Sequence, residues 1–241
     1  MGKILNYIWR GWMVVLAFVL TITLGIPVYL LSLSNNTFKY AHIFIRLWCY
    51  GMFFGMGMRY ELINLTDKKI DKNRQYVIIS NHTSIMDIML PCMLFPHHQL
   101  CYVGKKELVK IPIFGTILKR ICVLVDRGSA RSRAEVYRRC ADKMEEGNCI
   151  VLFPEGGVPD DTSIILDEFK DGAFTLASKH KSPLAVFTFV GLKEMFPFDN
   201  SKGHPGKVKI YFNDVIEPIT TPKEMKLSAF ETINKTLIEH S

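Results

Sequence analysis

The first 58 residues are dominated by apolar side chains at helical spacing. Every residue from Gly11 to Phe38 is uncharged, and most of this stretch is strongly apolar. A helix that crosses a bilayer needs about 20 apolar residues, so the stretch is long enough. A second apolar stripe recurs at helical spacing after Lys39. The pattern predicts two helices, with a break or kink in the first at Gly25 and Pro27.

Basic residues lie on both sides of the long apolar stretch. Lys3 and Arg10 precede it, and Lys39, Arg46 and Arg59 follow it. The distribution of positive charge therefore gives no clear direction for a single crossing of the membrane. We expect a membrane-associated two-helix hairpin over residues 1–58 that dips into one leaflet, with a signal anchor as the alternative.

Beyond residue 58 the pattern changes to short apolar runs that alternate with helical windows. The runs typical of strands are Tyr60–Leu65, Tyr76–Ser80, Leu100–Val103, Ile121–Val125, Cys149–Phe153, Leu184–Phe189 and Val208–Phe212. The helical windows are Ser84–Phe95, Ile113–Arg120, Ser132–Glu146, Asp171–His180 and Pro222–Glu239. This alternation predicts an α/β domain over residues 59–241, with a mostly parallel central sheet flanked by helices. The polar segment Gly191–Gly206, which contains Gly and Pro, predicts a surface loop.

Charge and composition narrow the class of partner. The 241-residue chain is 49% hydrophobic, which excludes a disordered protein, and its net charge is +7. For a chain that is both hydrophobic and basic, an anionic membrane surface is a better partner than nucleic acid, because the chain has no nucleic-acid-binding motif. Six cysteines without a Cys-x-x-Cys pair give no metal signature.

The positive charge is concentrated between Lys105 and Arg139. This segment has ten basic and three acidic residues, so its net charge equals that of the whole chain. A solvated helix face is the ordinary interpretation of such a run. The functional interpretation is a surface that faces anionic headgroups, an acidic carrier protein or the phosphates of coenzyme A.

Candidate catalytic residues follow the strand-like run Tyr76–Ser80. His82 and Asp87 come directly after it, where catalytic groups of α/β folds commonly lie. On a continuous helix a five-residue step would separate them by about 140°, so His82 must precede the helix and fold back. The carboxylate would then fix one ring nitrogen and leave the other as a general base. Alternatively, Ser84 and Asp87 form a capping box that serves helix geometry only.

A second candidate segment follows the run Cys149–Phe153. Pro154, Glu155, Gly156 and Gly157 stand together at the end of this strand. A carboxylate between Pro and paired Gly predicts a rigid turn that holds Glu155 beside a ligand, although an ordinary tight turn has the same composition.

These segments, in this order, resemble the motifs of the glycerolipid acyltransferase family, and specifically those of bacterial 1-acylglycerol-3-phosphate acyltransferases. The first motif is similar to Asn81-His82-x4-Asp87, the second to Val125–Arg127 and the third to Phe153–Gly156. Ser182–Leu184 is a loose form of the fourth. The resemblance extends over residues 59–189, and a hydrophobic N-terminal helical pair is also typical of such enzymes.

The resemblance implies a reaction and a set of site residues. His82 would deprotonate the sn-2 hydroxyl of a lysolipid, which attacks an acyl thioester carried by acyl carrier protein or coenzyme A to give phosphatidic acid. Asp87 would orient His82. No metal, cofactor or covalent intermediate is implied, and the enzyme would lie on the cytoplasmic (inner) membrane with its active domain facing the cytoplasm. The implied substrate-binding residues are Asn81, Lys105, Arg127, Glu155, Gly156, Gly157 and Lys170.

One departure from the family pattern leaves the acceptor open. The third motif usually continues Gly-Thr-Arg, with the Arg associated with the acceptor's phosphate, whereas here Gly157 is followed by Val158. Either Lys105, Arg127 or Lys170 supplies the phosphate contact, or the acceptor is a different lysolipid such as a lyso-aminolipid. A catalytically silent lipid-binding scaffold is the remaining hypothesis.

Overall fold

The strands and helices form where the hydrophobic pattern predicts them. The structure is a computed structural model that describes residues 2–111, 114–126, 128–159, 161 and 163–240. The strands are β1 Arg59–Asn64, β2 Val77–Ser80, β3 Leu100–Lys105, β4 Cys122–Val125, β5 Cys149–Leu152, β6 Leu184–Val190 and β7 Lys207–Ile216. The helices are α1 Lys3–Leu31, α2 Asn35–Gly55, α3 Leu90–Leu94, α4 Phe114–Ile121, α5 Ala130–Glu145, α6 Gly172–Lys179, α7 Leu192–Met195 and α8 Pro222–His240. Short 3₁₀ helices span Ile85–Met89 and Lys106–Lys110.

The strands form one sheet in the order β1-β7-β6-β2-β5-β3-β4. All neighbouring pairs are parallel except β6 and β7, so the α/β fold with a mostly parallel sheet is confirmed. The carboxyl ends of β6, β2, β5, β3 and β4 therefore meet at one edge, which we call the functional edge. This arrangement brings together segments that are far apart in the sequence.

Helices cover both faces of the sheet. On one face, α2, α3 and the segment that contains α7 pack against Ile78, Val151 and Phe187. On the other face, α5, α6 and α8 pack against Ile79 and Val186. Because the central strands are buried on both sides, their sequences are continuous apolar runs with no polar alternation.

The N-terminal hairpin is present, and its two helices have different environments. The inner face of α2 is part of the domain core through Met52 and Phe53. The helix α1 packs on α2 at two glycines, where an added Cβ at Gly55 would lie 2.6 Å from Leu16 Cδ2. The close approach of small residues is a common device for packing apolar helices.

The outer side of α1 is apolar and exposed. Among the described residues, α1 is the one helix long and apolar enough to cross a membrane, and only 11% of its apolar window is buried. Ile4, Ile8, Val14 and Phe18 each expose more than 60% of their surface. A core helix of a water-soluble protein would bury most of these side chains.

Two local predictions differ from the structure. The helix α1 runs without a break through Gly25 and Pro27, so the predicted break is wrong and the kink stays a prediction; Gly25 packs closely on Ile117, and the proline removes only one hydrogen bond near the helix end. The segment predicted as a surface loop contains α7, and Leu192 and Phe196 in it are buried in the core. Packing on the sheet outweighs the local polar composition in that segment.

Candidate active site

Two of the candidate motifs meet at the functional edge. The strands β2 and β5 are parallel neighbours, with Ile79 paired to Leu152. Because both chains leave the sheet at the same end, His82 and Glu155 lie side by side although 73 residues separate them. The sheet therefore brings together two segments whose separation of 73 residues in the sequence does not predict that they are in contact.

His82 and Asp87 form the expected pair. The distance between His82 Nδ1 and Asp87 Oδ2 is 3.1 Å. His82 precedes the 3₁₀ helix Ile85–Met89 and folds back onto it, as the sequence spacing required. The ring also stacks on Phe153, with centroids 4.2 Å apart and planes inclined by 20°. These two contacts fix the orientation of the imidazole, whose Nε2 has no hydrogen-bond partner within the described part of the chain.

Asp87 also forms part of a capping box, so its carboxylate both orients His82 and caps the 3₁₀ helix. The side chain of Ser84 accepts a hydrogen bond from the N–H of Met86, and Asp87 Oδ2 accepts from the N–H of Ser84 at 2.8 Å. The same oxygen accepts from the N–H of Thr83. Asp87 is completely buried, and three donors converge on one of its oxygens. The cap holds the carboxylate in the position that orients His82.

Glu155 links the two motifs. Its Oε1 accepts a hydrogen bond from the N–H of His82 at 2.6 Å, and its Oε2 accepts from the N–H of Asp167 at 3.0 Å. Burial raises the pKa of the Glu155 carboxyl to about 7, although these two N–H donors and the charge of His82 oppose the rise. The carboxyl thus holds the His82 turn in place from the neighbouring strand.

The raised pKa of Glu155 predicts a pH-dependent stability. Between about pH 4.5 and pH 7 the folded protein binds more protons at this group than the unfolded chain does. The free energy of unfolding therefore falls as the pH rises through that window, by about 3 kcal/mol in total. A Glu155→Gln variant cannot titrate, so its free energy of unfolding, measured by urea denaturation below, within and above the window, should lack this fall.

The exposed Glu168 provides the control for this comparison. Glu168→Gln should keep the wild-type dependence on pH. Parallel curves for the wild type and Glu155→Gln would show that Glu155 is ionised throughout, which contradicts the expectation.

Asn81 aligns two strands. Its Nδ2 donates to the carbonyl oxygen of Phe189 at 2.9 Å, and its Oδ1 accepts from the N–H of the same residue at 2.8 Å. The side chain is completely buried and imitates a strand partner for β6. This contact gives Asn81 a structural role at the site, and its contact with a substrate stays a prediction.

The predicted binding residues near the third motif lie together. Gly156 has φ +80°, and an added Cβ there would lie 2.5 Å from Lys170 Nζ. The exposed Lys170 therefore lies directly across Gly156, in the segment that follows β5, and its N–H donates to the carbonyl oxygen of Pro154 at 2.8 Å. Gly157 and Val158 are half-buried beside them. The side chain of Lys105 and all of Arg127 lie outside the described residues.

Phe153 is the site residue that the sequence reasoning missed. Its stacking on His82 depends on β5 lying next to β2 with Ile79 paired to Leu152, and sequence spacing does not reveal that pairing. An aromatic residue at the last position before Pro154 was the available signal. Among the described residues, no cluster of three or more His, Cys, Asp or Glu side chains could hold a metal ion.

Comparisons with known proteins identify relatives of this chain. The chain is 30% identical over 122 residues to the chloroplastic 1-acyl-sn-glycerol-3-phosphate acyltransferase BAT2 of Brassica napus, a match that covers 50% of this chain and 34% of that protein. It is 23% identical over 165 residues to the 1-acyl-sn-glycerol-3-phosphate acyltransferase of Helicobacter pylori, covering 68% and 69% of the two chains. It is 25% identical over 138 residues to the lyso-ornithine lipid O-acyltransferase of Rhizobium meliloti, covering 53% and 45%.

A solved structure and a family model also match this chain. The crystal structure of the LPA acyltransferase PlsC from Thermotoga maritima has the same fold, with a TM-score of 0.82 at 22% identity over 99% of this chain and 97% of that chain. The chain spans about a third of the length of the chloroplast relatives it matches. The family model described as Acyltransferase matches residues 63–190, more than half of the chain. This protein therefore belongs to the acyltransferase family, as its ordered motifs predicted.

Proposed function

We propose that this protein is a 1-acyl-sn-glycerol-3-phosphate acyltransferase that uses an acyl thioester as donor. The observation that carries the proposal is the His82–Asp87 pair at the functional edge, with His82 Nε2 free of protein partners in the described chain. An imidazole fixed at Nδ1 by a buried carboxylate is suited to accept a proton at Nε2. The names of the Brassica napus and Helicobacter pylori relatives support this activity.

The proposed reaction proceeds by direct transfer. His82 Nε2 takes the proton of the sn-2 hydroxyl while the hydroxyl oxygen attacks the thioester carbonyl carbon. The new oxygen–carbon bond forms, the carbon–sulfur bond breaks, and the protonated His82 returns its proton to the leaving thiolate. The buried Asp87 carboxylate, 3.1 Å from Nδ1, stabilises the imidazolium between these two steps.

The acceptor's phosphate needs a cation close to His82. In the lysolipid the phosphorus is four bonds from the reacting hydroxyl oxygen, so it lies within about 5 Å of that oxygen. Lys170 is the cation that lies across Gly156, in the segment that follows β5, and β5 is the strand next to β2, which leads to His82. We therefore assign the phosphate contact to Lys170, which replaces the Arg that the family usually has at the position of Val158.

A panel of acceptors tests the proposal. The wild-type protein in washed membranes should convert 1-acylglycerol-3-phosphate to phosphatidic acid with an acyl thioester of coenzyme A or of acyl carrier protein, detected by mass spectrometry of the lipid product. Lysolipids that lack the phosphate should react at least tenfold more slowly if a charge-assisted contact to Lys170 is lost. No turnover with any acceptor would favour a silent scaffold.

A lyso-aminolipid is the second candidate acceptor. Two observations favour it: Val158 stands where a cation is usual, and one relative is named a lyso-ornithine lipid O-acyltransferase. Faster acylation of such a lipid than of 1-acylglycerol-3-phosphate in the same panel would select this function and keep the His82 chemistry.

The apolar hairpin supports a membrane location for this reaction. The acceptor is a membrane lipid, and the exposed apolar side of α1 suits insertion beside it. We place the protein on the cytoplasmic (inner) membrane with the active domain facing the cytoplasm, because thioester donors are water-soluble cytoplasmic molecules.

Charged substitutions on the outer side of α1 should weaken membrane binding. Val15 and Phe18 are more than half exposed, and each contributes about 1.5 kcal/mol when buried in a bilayer. Val15→Asp/Phe18→Asp should therefore lower vesicle partitioning about 100-fold in a sedimentation assay. Leu227→Asp/Ile238→Asp is the matched control, since these side chains of α8 are equally exposed on the opposite face of the sheet. Equal losses for both variants would contradict the insertion of α1.

A further inference from the structure

A basic cavity lies on the β4 side of the sheet, lined by residues that follow β3, by residues of α4 and α5, and by the end of β4. Its volume is about 680 Å³, within the range of small-molecule sites. Four of its lining side chains are cationic, namely Lys106, Lys110, Lys119 and Arg139. None of these four has a carboxylate oxygen within 4.0 Å in the part of the chain that the structure describes. Four cations that face a concave surface without anionic partners suit a phosphorylated ligand.

The floor of the cavity is held by hydrogen bonds. Arg139 is half-buried and donates to the carbonyl oxygen of Leu124 at 3.3 Å. The lining has two acids, Glu107 and Asp126, against four cations, so its net charge is positive. Asp126 Oδ1 accepts from the N–H of Gly128 at 3.1 Å. The N–H of Asp126 donates to Ser132 Oγ at 3.0 Å. The site is thus positive and structured before a ligand arrives.

The separation from His82 favours a phosphate that is more remote from the reacting group than the acceptor's phosphate. The sheet order β2-β5-β3-β4 places the cavity two to three strand spacings from His82, which is about 10–14 Å. The acceptor's phosphorus lies within about 5 Å of the hydroxyl that His82 deprotonates. The ends of β3 and β4 thus lie farther from His82 than the acceptor's phosphorus lies from the reacting hydroxyl.

The donor has the required length. The phosphopantetheine arm that links the phosphate to the thioester sulfur has as many chain atoms as about four residues, which span about 14 Å when extended. We propose that the cavity binds the phosphate of the donor's phosphopantetheine arm and so places the thioester at His82. This inference rests on the proposed transfer from an acyl thioester. Coenzyme A and acyl carrier protein both carry this phosphate, so the cavity serves either source.

A binding titration tests the cavity without turnover. Wild-type protein in detergent should bind 4′-phosphopantetheine about tenfold more tightly than pantetheine, a difference of about 1.4 kcal/mol. Lys110→Gln/Lys119→Gln should lose this preference. Lys179→Gln/Lys223→Gln, which removes the same charge from exposed lysines elsewhere, should keep it. Equal binding of the two compounds by the wild type, or an unchanged preference in the cavity variant, would overturn the proposal.

Kinetics with three donors separate the possible sources of the phosphate. The cavity variant should raise the KM about tenfold for both acyl-coenzyme A and acyl-carrier protein, with the KM for the lysolipid unchanged. Transfer from acyl-pantetheine, which lacks the phosphate, should be unaffected, and its rate in the wild type reports the proposed function independently. A rise limited to acyl-coenzyme A would assign the cavity to its nucleotide, and a rise in the lysolipid KM would assign it to the acceptor. Either result would refute the arm-phosphate site.

Discussion

Replacement of His82 by alanine should lower kcat for acyl transfer by about three to four orders of magnitude, near the upper range for loss of a general base. The imidazole is 3.1 Å from Asp87 and stacks on Phe153, and its Nε2 is the proton acceptor in the proposed reaction. Without it the acceptor hydroxyl must lose its proton to water. The KM for the lysolipid should change little, because Lys170 remains in place.

The His82→Ala variant should remain folded and bound to the membrane. The side chain of His82 is 16% exposed, so its removal opens a cleft and leaves the core intact. His97→Ala is the matched control, since His97 is exposed ahead of β3, away from the functional edge, and should keep wild-type kcat. Steady-state kinetics with equal amounts of membrane-bound protein check both results. Wild-type kcat in the His82→Ala variant would remove His82 from the reaction.

Asp87→Asn should lower kcat about a thousandfold with little change in the fold. The amide oxygen can still accept the N–H groups of Thr83 and Ser84, so the cap is retained. The negative charge that stabilises the imidazolium is lost, and the amide no longer fixes the proton on His82 Nδ1. The measurement is kcat as a function of pH, together with the urea midpoint for unfolding.

Substitution of Ser84 separates capping from catalysis. Ser84→Ala removes the other half of the capping box and the buried hydrogen bond that Ser84 Oγ donates to the carbonyl oxygen of Phe196 at 2.7 Å, so it should cost about 2 kcal/mol of stability. It keeps the carboxylate beside His82, so kcat should fall far less than in Asp87→Asn. Equal losses of kcat in the two variants would mean that the motif serves helix geometry alone.

The agreement between sequence and structure depends on how local each feature is. The strands β2, β5 and β6 are buried on both faces, so their apolar runs identified them directly. The fold-back of His82 onto Asp87 was also predictable, because a five-residue step on a helix excludes contact. Each of these features depends on a stretch of no more than about a dozen consecutive residues.

Features that depend on tertiary register could not be read from the sequence. Stacking of Phe153 on His82 and the hydrogen bond from the N–H of His82 to Glu155 require that β2 and β5 are neighbours, which sequence order does not specify. The continuity of α1 past Pro27 likewise depends on packing against α4. These contacts join segments that only the folded sheet brings together.

The basic side chains concentrated between residues 105 and 139 fall into two different environments. Four of its cations line the basic cavity, whereas Arg138 lies 3.6 Å from both Glu135 and Asp142 on the solvated face of α5. The solvated interpretation and the functional interpretation therefore apply to different side chains of one segment. The positions of these side chains relative to β3, β4 and α5, which the sequence does not give, distinguish the solvated residues from those that line the cavity.

A single-turnover experiment tests the role of His82 most directly. Membrane-bound enzyme in excess over a labelled acyl thioester is mixed with saturating 1-acylglycerol-3-phosphate, and labelled phosphatidic acid is measured during the first turnover. This design isolates acyl transfer from product release. We predict that the wild type transfers the label to the lipid without an acyl-protein intermediate, and that His82→Ala transfers it at least a thousandfold more slowly. Labelled phosphatidic acid formed by His82→Ala at the wild-type rate would contradict the mechanism.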